Sequence, residues 1–180
     1  MTNNITPIFT SNFSIGSSIL TLDKPKDVVE GGADSILEIA QSNNLKQVFI
    51  VDSTMIGFKK CHEAFLEMGI QLIFGVKFFA ANNRFDEEKV RNESSHKVII
   101  FAKNDQGCKE LMKLYSSAHS TSDGFVDYSL LKERWTENLQ LAIPFYDSFI
   151  HKNNFFGHKC VPDFSFTVPW VFTANHNLPF

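Results

Sequence analysis

The residue best placed to do chemistry is an aspartate at the end of an apolar run. Val48 to Val51 is unbroken, partly β-branched and too short for an ordinary helix, so it predicts a strand buried on both faces. The run closes on Asp52, and Ser53, Thr54 and Gly57 follow before a helical pattern begins. α/β folds gather ligands and catalytic groups at the carboxyl ends of such strands. A carboxylate there is placed among those groups.

The other chemistry-bearing residues are less well placed. His62, beside Glu63, reads as solvated, and His119 falls near the carboxyl end of a predicted helix, where a cation is favoured. His151 and His158 flank Asn153 to Gly157 without an HxH or HxxxH spacing, which argues against a metal there. Asp147-Ser148 has no histidine at an informative position, so a hydrolase triad is not supported. Ser14, Ser17 and Ser18 with Gly16 can form either a backbone nest for an anion or a simple turn, and the turn is the simpler reading. Cys61, Cys108 and Cys160 are widely spaced and odd in number, with no CxxC pair. That pattern argues against a zinc ribbon or a secreted disulfide scaffold and for a reducing compartment. Cys108 falls on an apolar helical face and is expected in the core.

These residues need elements to position them. Pro7 to Thr10 predicts a short first strand, followed by a Ser/Gly-rich turn from Ser11 to Ser18. Ala33-Asp34-Ser35 can start a helix with Ile36, Leu37, Ile39 and Ala40 on one face and Asn43-Asn44 as its stop. Strand Lys46 to Asp52 comes next, then a helix carrying Cys61, Ala64, Phe65 and Met68 that Gly69 ends, then strand Gln71 to Ala80. Such alternation predicts a mostly parallel sheet with crossover helices, either a barrel or an open sheet. Asn82 to Ser95 is polar and reads as an exposed loop or hairpin. His96 to Ala102 is a strand, and Asn104 to Ala118 a helix with Cys108, Leu111, Met112, Leu114 and Tyr115 on its apolar face. Ser120 to Gly124 is a turn, Asp127 to Trp135 a short helix, and Leu139 to Ile143 a buried strand. Tyr146 to Lys152 predicts a helical turn, Asn153 to Pro169 a loop, and Val171 to Ala174 a last strand.

Composition bounds the function. At 180 residues and 43% hydrophobic content the chain can bury a core, and a net charge of -3 excludes a protein that is basic throughout. Any nucleic-acid contact must be local. The nineteen Phe read as core filler. No signal peptide or membrane-length apolar run is visible, so a cytoplasmic protein without a membrane partner is expected. The stop at Pro179-Phe180, without a polar tail, suggests a piece of a longer polypeptide.

Five stretches together resemble a known family: FTSNFS at Phe9 to Ser14, VDSTMIG at Val51 to Gly57, IFGVKFF at Ile73 to Phe79, HKVIIFAKNDQGCKELMKLYS at His96 to Ser116, and VFTANHNLPF at Val171 to Phe180. They are similar to the polymerase and histidinol phosphatase (PHP) domain, in particular the form at the amino terminus of C-family replicative DNA polymerase alpha subunits. The resemblance implies an α/β fold, a distorted (β/α)₇ barrel, incomplete here at its carboxyl end, with residues 1–180 as one PHP-like domain. In active members His, Asp, Glu and Cys at the strand ends hold up to three metal ions. Carried over residue by residue, Thr10 and Asn12 stand where the family has two imidazoles, and Asp52-Ser53 where it has Asp-His. Lys77 replaces a glutamate, His96 matches a histidine, and His176 falls near a replaced Asp-x-His pair. Asp23 lies too far from Asn12 to match the first-loop aspartate.

The resemblance therefore implies vestigial metal-site positions at Thr10, Asn12, Asp52, Ser53, Lys77, His96 and His176, converging on one rim. No catalytic residue and no cofactor is expected, and a zinc or manganese ion, if held, would fall to Asp52 and His96. Lys77 is expected to pair with Asp52 in place of metal. Two functions follow from the resemblance: a non-catalytic structural and partner-binding module of a replicative polymerase, or a metal-dependent phosphoesterase or 3′ to 5′ proofreading exonuclease with fewer ligands. The implied partners are the rest of the alpha chain, a proofreading exonuclease subunit, and DNA through the parent complex. The polymerase aspartates would lie outside this chain.

Overall fold

A computed structural model describes residues 7–86, 88 and 94–173. The fold is mixed α/β and divides into two compact units, Met1–Val76 and Lys77–Phe180.

The first unit is built on parallel strands. Strand β1 (Ile8–Phe9) lies beside β2 (Gln47–Asp52), with Ile8 opposite Phe49. Strand β3 (Gln71–Ala81) takes the other side of β2, in register from Gln47 opposite Gln71 to Asp52 opposite Val76. Parallel neighbours need crossovers, and two helices supply them. Helix α1 (Ile36–Ser42) starts where the Ser35 side chain accepts from the amides of Leu37 and Glu38, and it buries Ile36, Leu37 and Ala40. Helix α2 (Phe58–Glu67) buries Cys61 and Phe65. Val48, Ile50, Phe74 and Val76 are buried too, as an apolar run in a parallel sheet requires.

In the second unit the end of β3 pairs in parallel with β5 (Phe125–Asp127), from Phe79 opposite Phe125 to Ala81 opposite Asp127. Strand β4 (His96–Ala102) runs antiparallel to β6 (Leu139–Pro144), and β6 runs parallel to β7 (Trp170–Phe172). Every residue of β4 and β6 is buried. Helix α3 (Asp105–Thr121) is capped by Asn104, whose side chain accepts from the Gly107 amide at 2.9 Å. Gly107 is required by proximity: a Cβ there would lie 2.3 Å from the Asn138 carbonyl oxygen. Helices α4 (Tyr128–Arg134) and α5 (Phe149–Phe156) are capped by Asp127 and Ser148.

Several expectations need correction. The stretch from Asn82 does not all face solvent, because Arg84 turns inward and pairs with Asp127 at 2.7 Å, both side chains largely buried. Strand β5 fills the gap between the predicted turn, which ended at Gly124, and the predicted helix from Asp127; at three residues it is too short to show a period. Helix α5 begins later than the predicted turn and runs on to Phe156, where Gly157 ends it at φ +68°. Met112 lies exposed and Cys108 half-buried, because Gly107, Leu111, Leu114 and Ala118 form the inner face of α3. The phenylalanines are not all filler: Phe79, Phe85, Phe155 and Phe156 are exposed. Ala174 lies outside the described residues.

Candidate functional site

Asp52 ends β2 with its side chain fully buried, and a loop of the same unit wraps it. One oxygen, Oδ1, accepts from the Ser11 amide at 2.8 Å and from the Ser14 hydroxyl at 2.9 Å. The other, Oδ2, accepts from the Ser11 hydroxyl at 2.7 Å. The Ser14 oxygen in turn accepts from the Ser53 amide at 2.8 Å, closing a ring between the two strand ends. Thr10 adds a hydrogen bond from its hydroxyl to the Val51 carbonyl at 3.0 Å. The loop can return this closely because Ser11 and Ser14 lie one turn apart, with the Ser14 amide bonded to the Ser11 carbonyl at 3.0 Å.

Gly57 completes the enclosure. A Cβ at that position would lie 2.8 Å from the Phe13 ring and 3.2 Å from Asp52 Oδ2. Cys61 lies beneath the same carboxylate. Burial, and then the charge of Asp52, push its thiol up to about 12, so it stays protonated and unreactive.

Thr10, Asp52 and Ser53 are thus brought together. Asn12 is exposed, and its backbone amide bonds to the Leu20 carbonyl at 2.8 Å. Asp23 pairs instead with Lys60 at 2.7 Å on the surface. Lys77 and His96 belong to the second unit, where Lys77 is half-buried on β3. His176 lies outside the described residues.

His96 is wholly buried. Its Nε2 lies 2.8 Å from the Tyr128 hydroxyl, and the ring packs on those of Tyr128 and Phe149. Burial pushes the imidazole down to about 4, a shift that the nearby backbone of Ser94 only partly opposes. Nδ1 has no partner of hydrogen-bonding geometry among the described residues. Burial also raises the Tyr128 phenol, which stays neutral and able to donate to the imidazole. The pair is a packed polar contact inside an aromatic core.

The resemblance implies a metal cluster at the strand ends. Among the described residues no three His, Cys, Asp or Glu side chains converge to hold an ion. Asp52 already uses both oxygens on Ser11 and Ser14, and His96 is turned to Tyr128.

Sequence reasoning missed Ser11, Phe13 and Tyr128, and it took Ser14 for part of a turn. The signal that was present is the spacing of Ser11 and Ser14, three apart, directly after the first strand.

The sequence profile of the PHP domain matches residues 30–156, so the chain belongs to the PHP domain family. The matched segment holds Asp52, Ser53, Lys77 and His96 but not the Ser11 to Ser14 loop. DNA polymerase III subunit alpha of Aquifex aeolicus (strain VF5) is 32% identical over 119 residues, covering 59% of this chain and 10% of the relative. The chain spans about a tenth of that relative's length. Among the described residues no helix is long and apolar enough to cross a membrane.

Proposed function

We propose that this chain is the PHP portion of a cytoplasmic DNA polymerase III alpha subunit and serves there as a structural, partner-binding module without catalysis of its own. The observation that carries this reading is the state of Asp52. Its three hydrogen bonds from Ser11 and Ser14 engage both carboxylate oxygens with protein donors. Thr10, Asn12 and Ser53 stand where active members carry imidazoles, which fits the same reading. The relative's name supports replication as the setting. The partners would be the remainder of the alpha chain, a proofreading exonuclease subunit, and DNA through the assembled polymerase.

Elemental analysis joined to a nuclease assay tests the proposal. The expected result is sub-stoichiometric zinc, manganese and iron, with no manganese-stimulated release of nucleotides from a single-stranded primer. Near-stoichiometric metal, with nucleotide release abolished by Asp52→Asn, would overturn it in favour of a metal-dependent phosphoesterase or exonuclease.

A further inference from the structure

The second unit carries a surface that the PHP reading leaves unexplained. From Ser148 to Pro162 there is no acidic residue, while His151, Lys152, His158 and Lys159 fall within the run. On it, Phe155 is 68% and Phe156 62% exposed, at the end of a helix with Lys159 exposed just beyond. Two adjacent exposed phenylalanines in an acid-free segment are unusual in a chain whose net charge is -3.

The surface is held in place. The His151 ring lies 5.3 Å from both the Phe155 and the Phe156 rings and is backed by Phe145 and Tyr146. Lys152 Nζ lies 5.6 Å from the Phe156 ring and 3.7 Å from Asp147 Oδ1, which leaves Lys159 as the cation turned to solvent on this segment. The chain beyond α5 is fixed by two asparagines, each using both ends of its amide. Asn153 donates to the Cys160 carbonyl and accepts from the Cys160 amide, both at 2.9 Å. Asn82 donates to the Lys159 carbonyl at 2.7 Å and accepts from the Val161 amide at 2.8 Å. Neither clamp uses the Lys159 side chain, which is left to solvent.

We propose that α5 and the segment to Val161 form a binding platform for single-stranded nucleic acid, with Phe155 and Phe156 stacking on unpaired bases and Lys159 meeting the phosphates. Flat apolar rings beside cations match the two halves of a single strand, its base faces and its charged backbone. An acidic peptide would satisfy Lys159 but leave the rings without a partner. A duplex hides its base faces. Fixing the platform beforehand lowers the ordering cost of binding.

Fluorescence anisotropy of a labelled thymidine oligonucleotide with the whole chain tests this. Binding is expected at low salt, falling as salt rises. Joint Phe155→Ala and Phe156→Ala substitution should weaken it about thirtyfold or more, the loss of two stacked bases. The melting temperature should fall only slightly, since both side chains are exposed and lose only their contacts with His151 and Lys152. Lys159→Ala should instead reduce the slope of log affinity against log salt by about 0.7. An oligonucleotide that does not bind at low salt, equal affinity for a duplex of the same length, or affinity and salt slope untouched by either variant would overturn the platform. Equal binding of polyglutamate, unaffected by loss of the phenylalanines, would overturn it as well.

Discussion

At the scale of single residues, the serines around Asp52 and the imidazole at His96 show two ways of keeping a polar group inside a protein. Ser14 donates to the carboxylate and accepts from the Ser53 amide, so Ser14→Ala leaves two groups short of a partner at once. The expected loss is about 1–3 kcal/mol, read from urea denaturation, because an unmet buried group costs more than a hydrogen bond gains. His96 is kept neutral instead. Its folded value of about 4 lies below the ordinary 6.5, so as pH falls the unfolded chain takes the proton first. Stability is therefore complete above about pH 6.5. It is lost progressively toward pH 4, by on the order of 3 kcal/mol at one unit per 1.4 kcal/mol. Denaturation midpoints measured across this window should fall with pH, and His96→Gln should flatten that part of the profile. Asp52 itself was legible in the sequence because an apolar β-branched run must end somewhere, and its last residue must face the strand end. The serines were not, because a Ser/Gly-rich turn looks alike whether its hydroxyls meet water or a carboxylate forty residues away.

At the scale of elements, local pattern and long-range contact divide what could be read. Strands β2 and β4 and helices α1, α2 and α3 stood out through sustained periods and capping residues such as Ser35 and Asn104. Strand β5 was missed because three residues cannot show alternation, and the inward turn of Arg84 because Asp127 lies far along the chain. Lys97 and Asp147 form another contact of that kind, at 3.0 Å. Burial alone would raise the Asp147 carboxyl, but the hydrogen bond and charge of Lys97, then Lys152, hold it below the usual range. Gly107 gives the clearest test at this scale. Alanine is the better helix former, yet at this position its methyl would meet the Asn138 carbonyl, a backbone atom that cannot swing aside. Gly107→Ala is expected to destabilise by about 1–3 kcal/mol in thermal melts, whereas a gain would mean that α3 moves freely away from Asn138.

At the scale of the whole molecule, the PHP family assignment and the α/β fold agree with the alternation of apolar runs, while the proposed absence of a metal rests on the hydrogen bonding of Asp52, which the alternation does not carry. If the proposed function holds, the core depends on side-chain packing and the serine ring alone. EDTA should then leave the melting temperature unchanged, and added zinc or manganese should not raise it. A chelator-induced drop of several degrees would show an ion contributing to folding.

The three thiols supply a clock for each unit. Cys61 is fully buried beneath Asp52, Cys160 is 4% exposed beside Asn153, and Cys108 is half-buried on α3. Only a thiolate reacts with an alkylating probe, and burial raises all three thiols above their ordinary value. Labelling under native conditions must therefore wait for local opening, and mass spectrometry can follow it one cysteine at a time. The expected order is Cys108 first, Cys160 next and Cys61 last. Cys61 would then mark how seldom the aspartate enclosure breathes, and Ser14→Ala should shorten that wait while leaving the Cys160 interval as it was.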